Sequence, residues 1–353
     1  MKKENFSSVG EREDARLLIL RCLSDAGGPL GAGRISEQLQ AAGHRLQPRT
    51  VRLRLLALDR EGLTRKLSRR LGRVLTDRGR DELQRAQLPA RVGFMTTRIE
   101  TLMHSMTYRF SAPQGTLAVN AALFPEHQLQ AALECMYPVF QRRLAVGSLL
   151  AVARGGMRLA GVTVPDGQAL VATVCSFTVN GVLLAEGIPV SSRYGALLEM
   201  RDGRPLRFVE LIEYAGATLA PLELFVEAGR TSVRECARSG NGIIGVSFRE
   251  VPAVAREALL RAVGRMEDDD LGAVLAVGHP GRPLLGVPVA DGRCGLVVTA
   301  GLNPLAALRE GGLPVSIRAQ TALEARSAFV PIATLRNRFP WWPPPRSPGA
   351  PQE

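Results

Sequence analysis

Two stretches of this chain are copies of each other. Leu159-Ala160-Gly161-Val162-Thr163-Val164-Pro165-Asp166-Gly167 aligns with Leu284-Leu285-Gly286-Val287-Pro288-Val289-Ala290-Asp291-Gly292, 125 residues later. The register then holds without a gap. Leu183 falls on Leu308, Gly187 on Gly312, Ile188-Pro189-Val190 on Leu313-Pro314-Val315, Arg193 on Arg318 and Leu198-Glu199 on Leu323-Glu324. Upstream, Gly115-Thr116-Leu117-Ala118-Val119 matches Gly242-Ile243-Ile244-Gly245-Val246 at an offset of 127, so a small indel lies between. Whatever one copy folds into, the other should fold into as well.

Each copy reads as apolar strands alternating with helices. A helix (Glu126–Arg142; Val251–Met266) leads to a strand (Ser148–Val152; Ala273–Val277) and a turn at Asp-Gly. A second strand follows (Ala169–Val174; Gly295–Thr299), then a polar turn, a short helix (Val179–Ala185; Pro304–Glu310) and a strand beginning at the Ile/Leu-Pro-Val. This alternation predicts α/β layers. Two equivalent halves predict a cleft between them, a favoured place for a small ligand. A duplicated scaffold used only for dimerisation is the plainer alternative.

Charge divides the chain differently. Residues 31–85 carry fourteen Lys or Arg against six Asp or Glu, a net +8 of the chain's +12. That concentration predicts a polyanion-binding module joined to a nearly neutral body. Within it, Glu13–Ala26 reads as a first helix ended by Gly27-Gly28-Pro29, and Gly31–Ala42 as a second ended by Gly43. Gln47-Pro48 opens a third, in which Val51, Leu55 and Leu58 make the inward stripe. Leu63–Leu67 and Arg73–Thr76 read as two short strands around a basic loop, and another helix begins near Asp77.

Three helices and a hairpin in this order predict a winged helix-turn-helix. The third helix would enter the major groove and the wing would lie along phosphates. Arg45, Arg49, Thr50, Arg52 and Arg54 are the expected readers of DNA, with Arg65, Lys66, Arg69, Arg70 and Arg73 holding the backbone. A solvated basic face on a protein-binding winged helix is the alternative.

Several classes are disfavoured. Met1–Gly10 has no apolar run of the secretory kind. Five scattered cysteines without C-x-x-C spacing argue against a disulfide scaffold or a zinc site, and favour a reducing, cytoplasmic setting. The uncharged run Gly167–Ala185 carries too many polar residues for a membrane span and reads as strand, turn and helix. Gly240-Asn241-Gly242-Ile243-Ile244-Gly245 fits G-x-G-x-x-G, but a helix precedes it and a strand follows, the reverse of a dinucleotide site. The four histidines lack metal-ligand spacing, and Cys175 reads as a buried small residue. No catalytic residue, metal or cofactor is expected.

The polar turns after the central strands are better candidates. Ser176, Thr178, Asn180 and Gly181 in the first copy, and Asn303 in the second, sit where a strand ends and a helix begins, so free N–H groups can meet an anion. Ser191, Ser192, Arg193 and Arg318 add hydroxyls and cations, a set suited to a small di-acid. Helix capping beside exposed arginines is the plain alternative.

The residues also carry a resemblance. Pro29-Leu30-Gly31-Ala32, Arg49-Thr50-Val51-Arg52, Glu61-Gly62-Leu63-Thr64 and Leu75-Thr76-Asp77-Arg78-Gly79 resemble the winged-helix domain of NrpR-type transcriptional regulators. Val92-Gly93-Phe94, Arg98-Ile99-Glu100, Thr173-Val174-Cys175-Ser176, Asn180-Gly181-Val182-Leu183-Leu184, Gly187-Ile188-Pro189-Val190 and Leu211-Ile212-Glu213-Tyr214 resemble that family's regulatory domain. The resemblance implies a homodimeric repressor of nitrogen-assimilation genes, bound to palindromic operators and released by 2-oxoglutarate. Leu53 departs from the aromatic residue expected in the recognition helix.

The expected architecture is therefore multi-domain: a winged helix-turn-helix over residues 1–90, then an α/β body over 91–336 made of two sequence-related halves (about 91–213 and 214–336). A proline-rich, disordered tail over 337–353 would complete it. The expected function is that of a ligand-responsive DNA-binding repressor. An enzyme with an accessory winged helix, acting on a small anionic substrate in the cleft, is the second reading, and a protein-binding adaptor the third.

Overall fold

The computed structural model describes residues 10–26, 28–41, 46–68, 70–80, 82–83 and 95–338. Arg45, Arg69, the segment expected to join the domains near residue 90, and residues 339–353 of the expected tail lie outside the described residues, while residues 337–338, expected to begin that tail, are helical. The chain divides into two compact units, Met1–Gly93 and Phe94–Glu353.

In the first unit, helices α1 (Gly10–Asp25), α2 (Ala32–Ala41) and α3 (Pro48–Arg60) precede strands β1 (Thr64–Ser68) and β2 (Gly72–Leu75). The stripe Val51, Leu55 and Leu58 is buried against Ile19, Leu20, Ile35 and Leu39. Spacing of i, i+4 and i+7 puts these side chains on one face, and burying aliphatic groups is what docks the helix. Pro48 occupies the first turn, where its missing N–H costs nothing.

The two strands pair antiparallel, and Leu30 adds a third rung through mutual backbone bonds with Arg73, at 3.0 and 2.9 Å. Gly72 is required there. Its φ is +94°, and a Cβ would stand 2.2 Å from the Leu30 carbonyl oxygen. Residues 77–80 are helical, as the sequence suggests.

The second unit opens with α4 (Met95–Ser105). The first copy supplies β3 (Thr116–Pro125), α5 (Leu129–Gln141), β4 (Leu149–Arg154), the short hairpin β5–β6 (Arg158–Leu159, Val162–Thr163), β7 (Gln168–Val174), α6 (Phe177–Ala185) and β8 (Ser191–Arg201). Strand β9 (Arg204–Glu213) and helices α7 (Pro221–Glu227) and α8 (Val233–Ser239) form the bridge. The second copy supplies β10 (Gly242–Pro252), α9 (Arg256–Asp268), β11 (Val274–Val277), β12 (Arg293–Thr299), α10 (Asn303–Glu310) and β13 (Ser316–Ala325). Strand β14 (Val330–Pro331) and α11 (Ile332–Arg338) follow.

These strands build two five-stranded sheets, ordered β13-β3-β7-β4-β14 and β11-β12-β10-β8-β9. Each copy gives its last long strand to the other copy's sheet. β8 pairs antiparallel with β10, and β13 with β3. The halves are therefore interlocked, and the open cleft between separate lobes expected from the sequence is replaced by an exchange of strands.

The same turn recurs in both copies. Ala160-Gly161 (φ +52°, +74°) and Leu285-Gly286 (φ +51°, +84°) each place two successive residues in the left-handed region. That is the two-residue hairpin geometry matched to strand twist. Leu159 pairs with Val162 and Leu284 with Val287 accordingly.

Strands start and end within a few residues of their expected limits. The long helices start later than expected, at Leu129 and Arg256, because a short 3-10 turn precedes each. The run Gly167–Ala185 resolves into β7, a turn and α6, whose residues 177–183 are all buried. Among the described residues no helix is long and apolar enough to cross a membrane.

Candidate functional site

Two surfaces carry the expected chemistry, one in each unit. In the first, α3 and the wing present Arg49, Thr50, Arg52, Arg65, Lys66 and Arg70 to solvent, with Arg54 half-buried. Leu53 (62% exposed) and Leu56 stand among the arginines of the helix, and Leu67 and Leu71 among those of the wing. Exposed leucines beside cations suit apolar contact with base methyl groups flanked by phosphate contacts.

Arg73 does not belong to this surface. It is 8% exposed, and its Nε donates to Asp59 Oδ2 at 2.7 Å, while Thr64 Oγ1 donates to Asp59 Oδ1 at 2.6 Å. One carboxylate thus ties α3 to both strands of the wing. Arg73 is a brace that holds the contact surface in shape.

In the second unit, several candidate residues prove to be fasteners. Thr178 Oγ1 shares 3.1 Å bonds with the backbone N–H and carbonyl of Ala118. Asn303 uses its whole amide: Oδ1 accepts from Gly245 N, and Nδ2 donates to Gly245 O and Leu144 O. Gly181 is a packing position, where a Cβ would stand 2.3 Å from Met106 Cε. Arg318 is exposed on β13. Arg193 pairs at 3.2 Å with the buried carboxylate of Glu250, which Arg293 approaches at 3.8 Å.

The remaining candidates gather around a residue that sequence reasoning missed. Arg249 on β10 is fully buried. Its Nη2 donates to the Ser176 carbonyl at 2.9 Å and to Ser247 Oγ at 3.0 Å, and the guanidinium lies 5.5 Å from the Phe177 ring centroid. Nε and Nη1 have no partner. Ser192 stands opposite Arg249 in the β8–β10 register, and Asn180 Nδ2 donates to Ser192 Oγ at 2.8 Å, leaving Asn180 Oδ1 buried without a partner.

Burial pulls the Arg249 guanidinium down to about 10, so it remains a cation at neutral pH. No carboxylate pairs with it among the described residues. An uncompensated buried cation is costly.

A small cavity lies beside the Ser176–Phe177 turn to which Arg249 is bonded. It is lined by Asn120, Cys175–Phe177, Tyr214, Ala220–Leu222, Gly301–Leu302 and Ala319–Gln320, and measures about 10 Å3. That is room for about one water. Gln320 sits in a bulge of β13 with φ +52°, its N–H donating to Asn120 Oδ1 at 3.1 Å. Asn120 Nδ2 and Gln320 Oε1 are further buried groups without partners. Burial pushes the neighbouring Cys175 thiol up to about 11 and raises Tyr214 as well, so neither ionises near neutrality. The walls come from both copies, because β13 is one of the exchanged strands.

A wider groove of about 810 Å3, lined by residues such as Glu134, Arg234, Glu235, Arg238, Arg309 and Glu310, is less suited to a single charged ligand. Its charges largely satisfy one another. Arg238 pairs with Glu235 and Arg309 with Glu227, while Glu310 accepts from Thr231 and from the backbone of Val233 and Arg234.

Comparison with known proteins decides the family. Residues 92–330 match the profile of NrpR regulatory domains NRD1 and 2. The chain belongs to the NrpR family. Residues 17–83 of this NrpR-family protein match the ribonuclease R winged-helix domain, in agreement with the fold of the first unit. It is similar to the global nitrogen regulator NrpRI of Methanosarcina mazei, at 32% identity over 298 residues, covering 84% of this chain and 91% of that one.

It is 29% identical to the global nitrogen regulator NrpR of Methanococcus maripaludis over 88% of this chain, but spans only 54% of that longer protein. A crystal structure of a nitrogen repressor-like protein from Methanococcus jannaschii superposes with a TM-score of 0.59 at 24% identity. It covers 68% of this chain and 99% of that one, and supports the fold. The curated relatives are named as regulators, a non-enzymatic role. The reading of the body as an enzyme is set aside on that ground.

Proposed function

We propose that this protein is a DNA-binding repressor of nitrogen-assimilation genes whose hold on DNA is released by 2-oxoglutarate. In this reading residues 1–90 bind DNA, 91–336 form a regulatory body that arose by internal duplication, and the tail from 337 is an appendage. Two copies act together in the cytoplasm on a palindromic operator. Arg49, Thr50, Arg52 and Arg54 read bases, and Arg65, Lys66 and Arg70 hold phosphates.

The observation that carries the ligand half is Arg249. Its two open N–H groups suit one carboxylate of a small di-acid, with polar groups for the remainder from Asn120 and Ser176 in the cavity and from Ser192 and Asn180 beside Arg249. A molecule of that size exceeds this small cavity, so it enters only if β13 and the turn at Ser176 move apart. A ligand that binds the open form alone shifts the population toward it, by as much as its differential affinity allows. Because the moving strands are exchanged between the two halves, opening changes the whole body, and with it the spacing of paired winged helices on DNA.

The test is binding of the purified protein to its own upstream region at physiological salt, with and without 2-oxoglutarate. Specific binding that the ligand weakens supports the proposal. Binding indifferent to the ligand rejects this effector, and no specific binding rejects the repressor reading.

A further inference from the structure

Strand β9 closes one side of the second sheet, with β8 on its inner flank and, among the described residues, no strand on its outer one. Leu206, Val209 and Leu211 on it are 40, 43 and 41% exposed. Three aliphatic side chains clustered on one edge strand are a liability in a lone molecule, since edges are templates for association. Register shifts at Leu206 and Val209 interrupt the ladder with β8. Such bulges twist an edge and oppose its extension by a further hydrogen-bonded strand. Contact here therefore runs through side chains.

The charges on β9 show what the occupant is. Arg204 and Arg207 lie in its first half, Glu210 and Glu213 in its second. Laid antiparallel against the same face of an identical strand, about a two-fold axis near Val209, the exposed positions at the two ends meet complements. Arg204 faces Glu213 and Leu206 faces Leu211, with Val209 near the axis, while Phe208 stays packed inward on Phe248. A two-fold contact uses the same patch on both subunits and must be self-complementary in this way. Arg207 and Glu210 hold internal partners, Glu199 and Arg230, with Arg207 and Arg230 remaining largely exposed.

We propose that β9 is the surface through which two copies of this chain associate, stacked antiparallel. The inference rests on the dimeric repressor reading above and gives it a location.

The experiment uses the full chain and two single variants, Arg204→Glu and Glu213→Arg, both at exposed positions where the fold tolerates exchange. Sedimentation equilibrium measures the dimer. The first variant places an acidic end against an acidic end, and the second a basic end against a basic end. Each alone should dimerise at least about tenfold more weakly than the parent, and an equimolar mixture should recover the loss as a heterodimer. A Leu211→Lys variant should also weaken the dimer, with circular dichroism confirming its fold. A monomeric parent at all concentrations, or variants that dimerise as tightly as the parent, would overturn the proposal. Operator binding measured on the same samples separates the cases: a parent that binds operator while the variants remain fully dimeric loses this interface and keeps the repressor reading.

Discussion

The Arg249 guanidinium donates through one nitrogen to the Ser176 carbonyl, 73 residues earlier in the chain, and leaves its other two nitrogens unpaired in the protein interior. β10 and the turn leading into α6 are thereby joined around a charge that no carboxylate among the described residues neutralises.

This makes an unusual prediction for Arg249→Met. Replacing a buried uncompensated charge by an apolar side chain of similar length should stabilise the free protein by about 1–4 kcal/mol. On the proposed reading 2-oxoglutarate should raise the melting temperature of the parent, and the same change should abolish that rise. A free variant less stable than the parent would show that Arg249 is structurally satisfied.

Asn303→Ala should behave in the opposite way. It leaves the Gly245 peptide and the Leu144 carbonyl buried without their partners, at a cost of about 2–4 kcal/mol. Urea unfolding monitored by circular dichroism measures the loss. A change below about 0.5 kcal/mol would contradict the bracing role.

Asp59→Ala should loosen the first unit. The carboxylate fastens Arg73 and Thr64 to α3, so its removal is expected to cost about 2–3 kcal/mol and to weaken all DNA binding by misplacing the wing. Hydrogen exchange at β1 and β2 checks this, since only a loosened wing exchanges faster.

Cys175 should report opening of the cavity. Burial pushes its thiol up to about 11, so at pH 8 only about one thiol in a thousand is ionised. Iodoacetamide should leave it unlabelled in the free protein and label it faster once 2-oxoglutarate is present. Mass spectrometry of the labelled peptide distinguishes it from the half-exposed Cys22 and Cys135. Labelling slowed by the ligand would mean that the ligand closes the site.

On DNA, Arg52→Ala should weaken specific binding by about 1–3 kcal/mol and relax base choice, while Arg70→Ala should weaken all sequences alike and lower the salt slope by about 1. Fluorescence anisotropy on operator and random duplexes across a salt series checks both. Equal losses on both duplexes for both variants would remove the division between reading and holding.

The sequence made part of this legible and hid the rest for physical reasons. Val51, Leu55 and Leu58 place α3 because helical spacing is a local property. The repeat located Ser176 and its neighbours because two copies align without any knowledge of contacts. Periodicity does not name a strand's partner, so the exchange of β8 and β13 was invisible. β9 was missed because bulges at Leu206 and Val209 break the alternation that marks a strand. Arg249 was missed because Arg-Glu near a strand end reads as a solvated pair. Its burial depends on the turn before α6 closing over β10, while Glu250 is taken by Arg193 and Arg293.

The most direct test of the account is operator affinity measured on the parent and on Arg249→Met, each with and without 2-oxoglutarate at physiological salt. The account predicts that the parent binds specifically and loses affinity with the ligand, while the variant binds as tightly and does not respond. A parent whose specific binding ignores the ligand, or a variant that responds as the parent does, would contradict it.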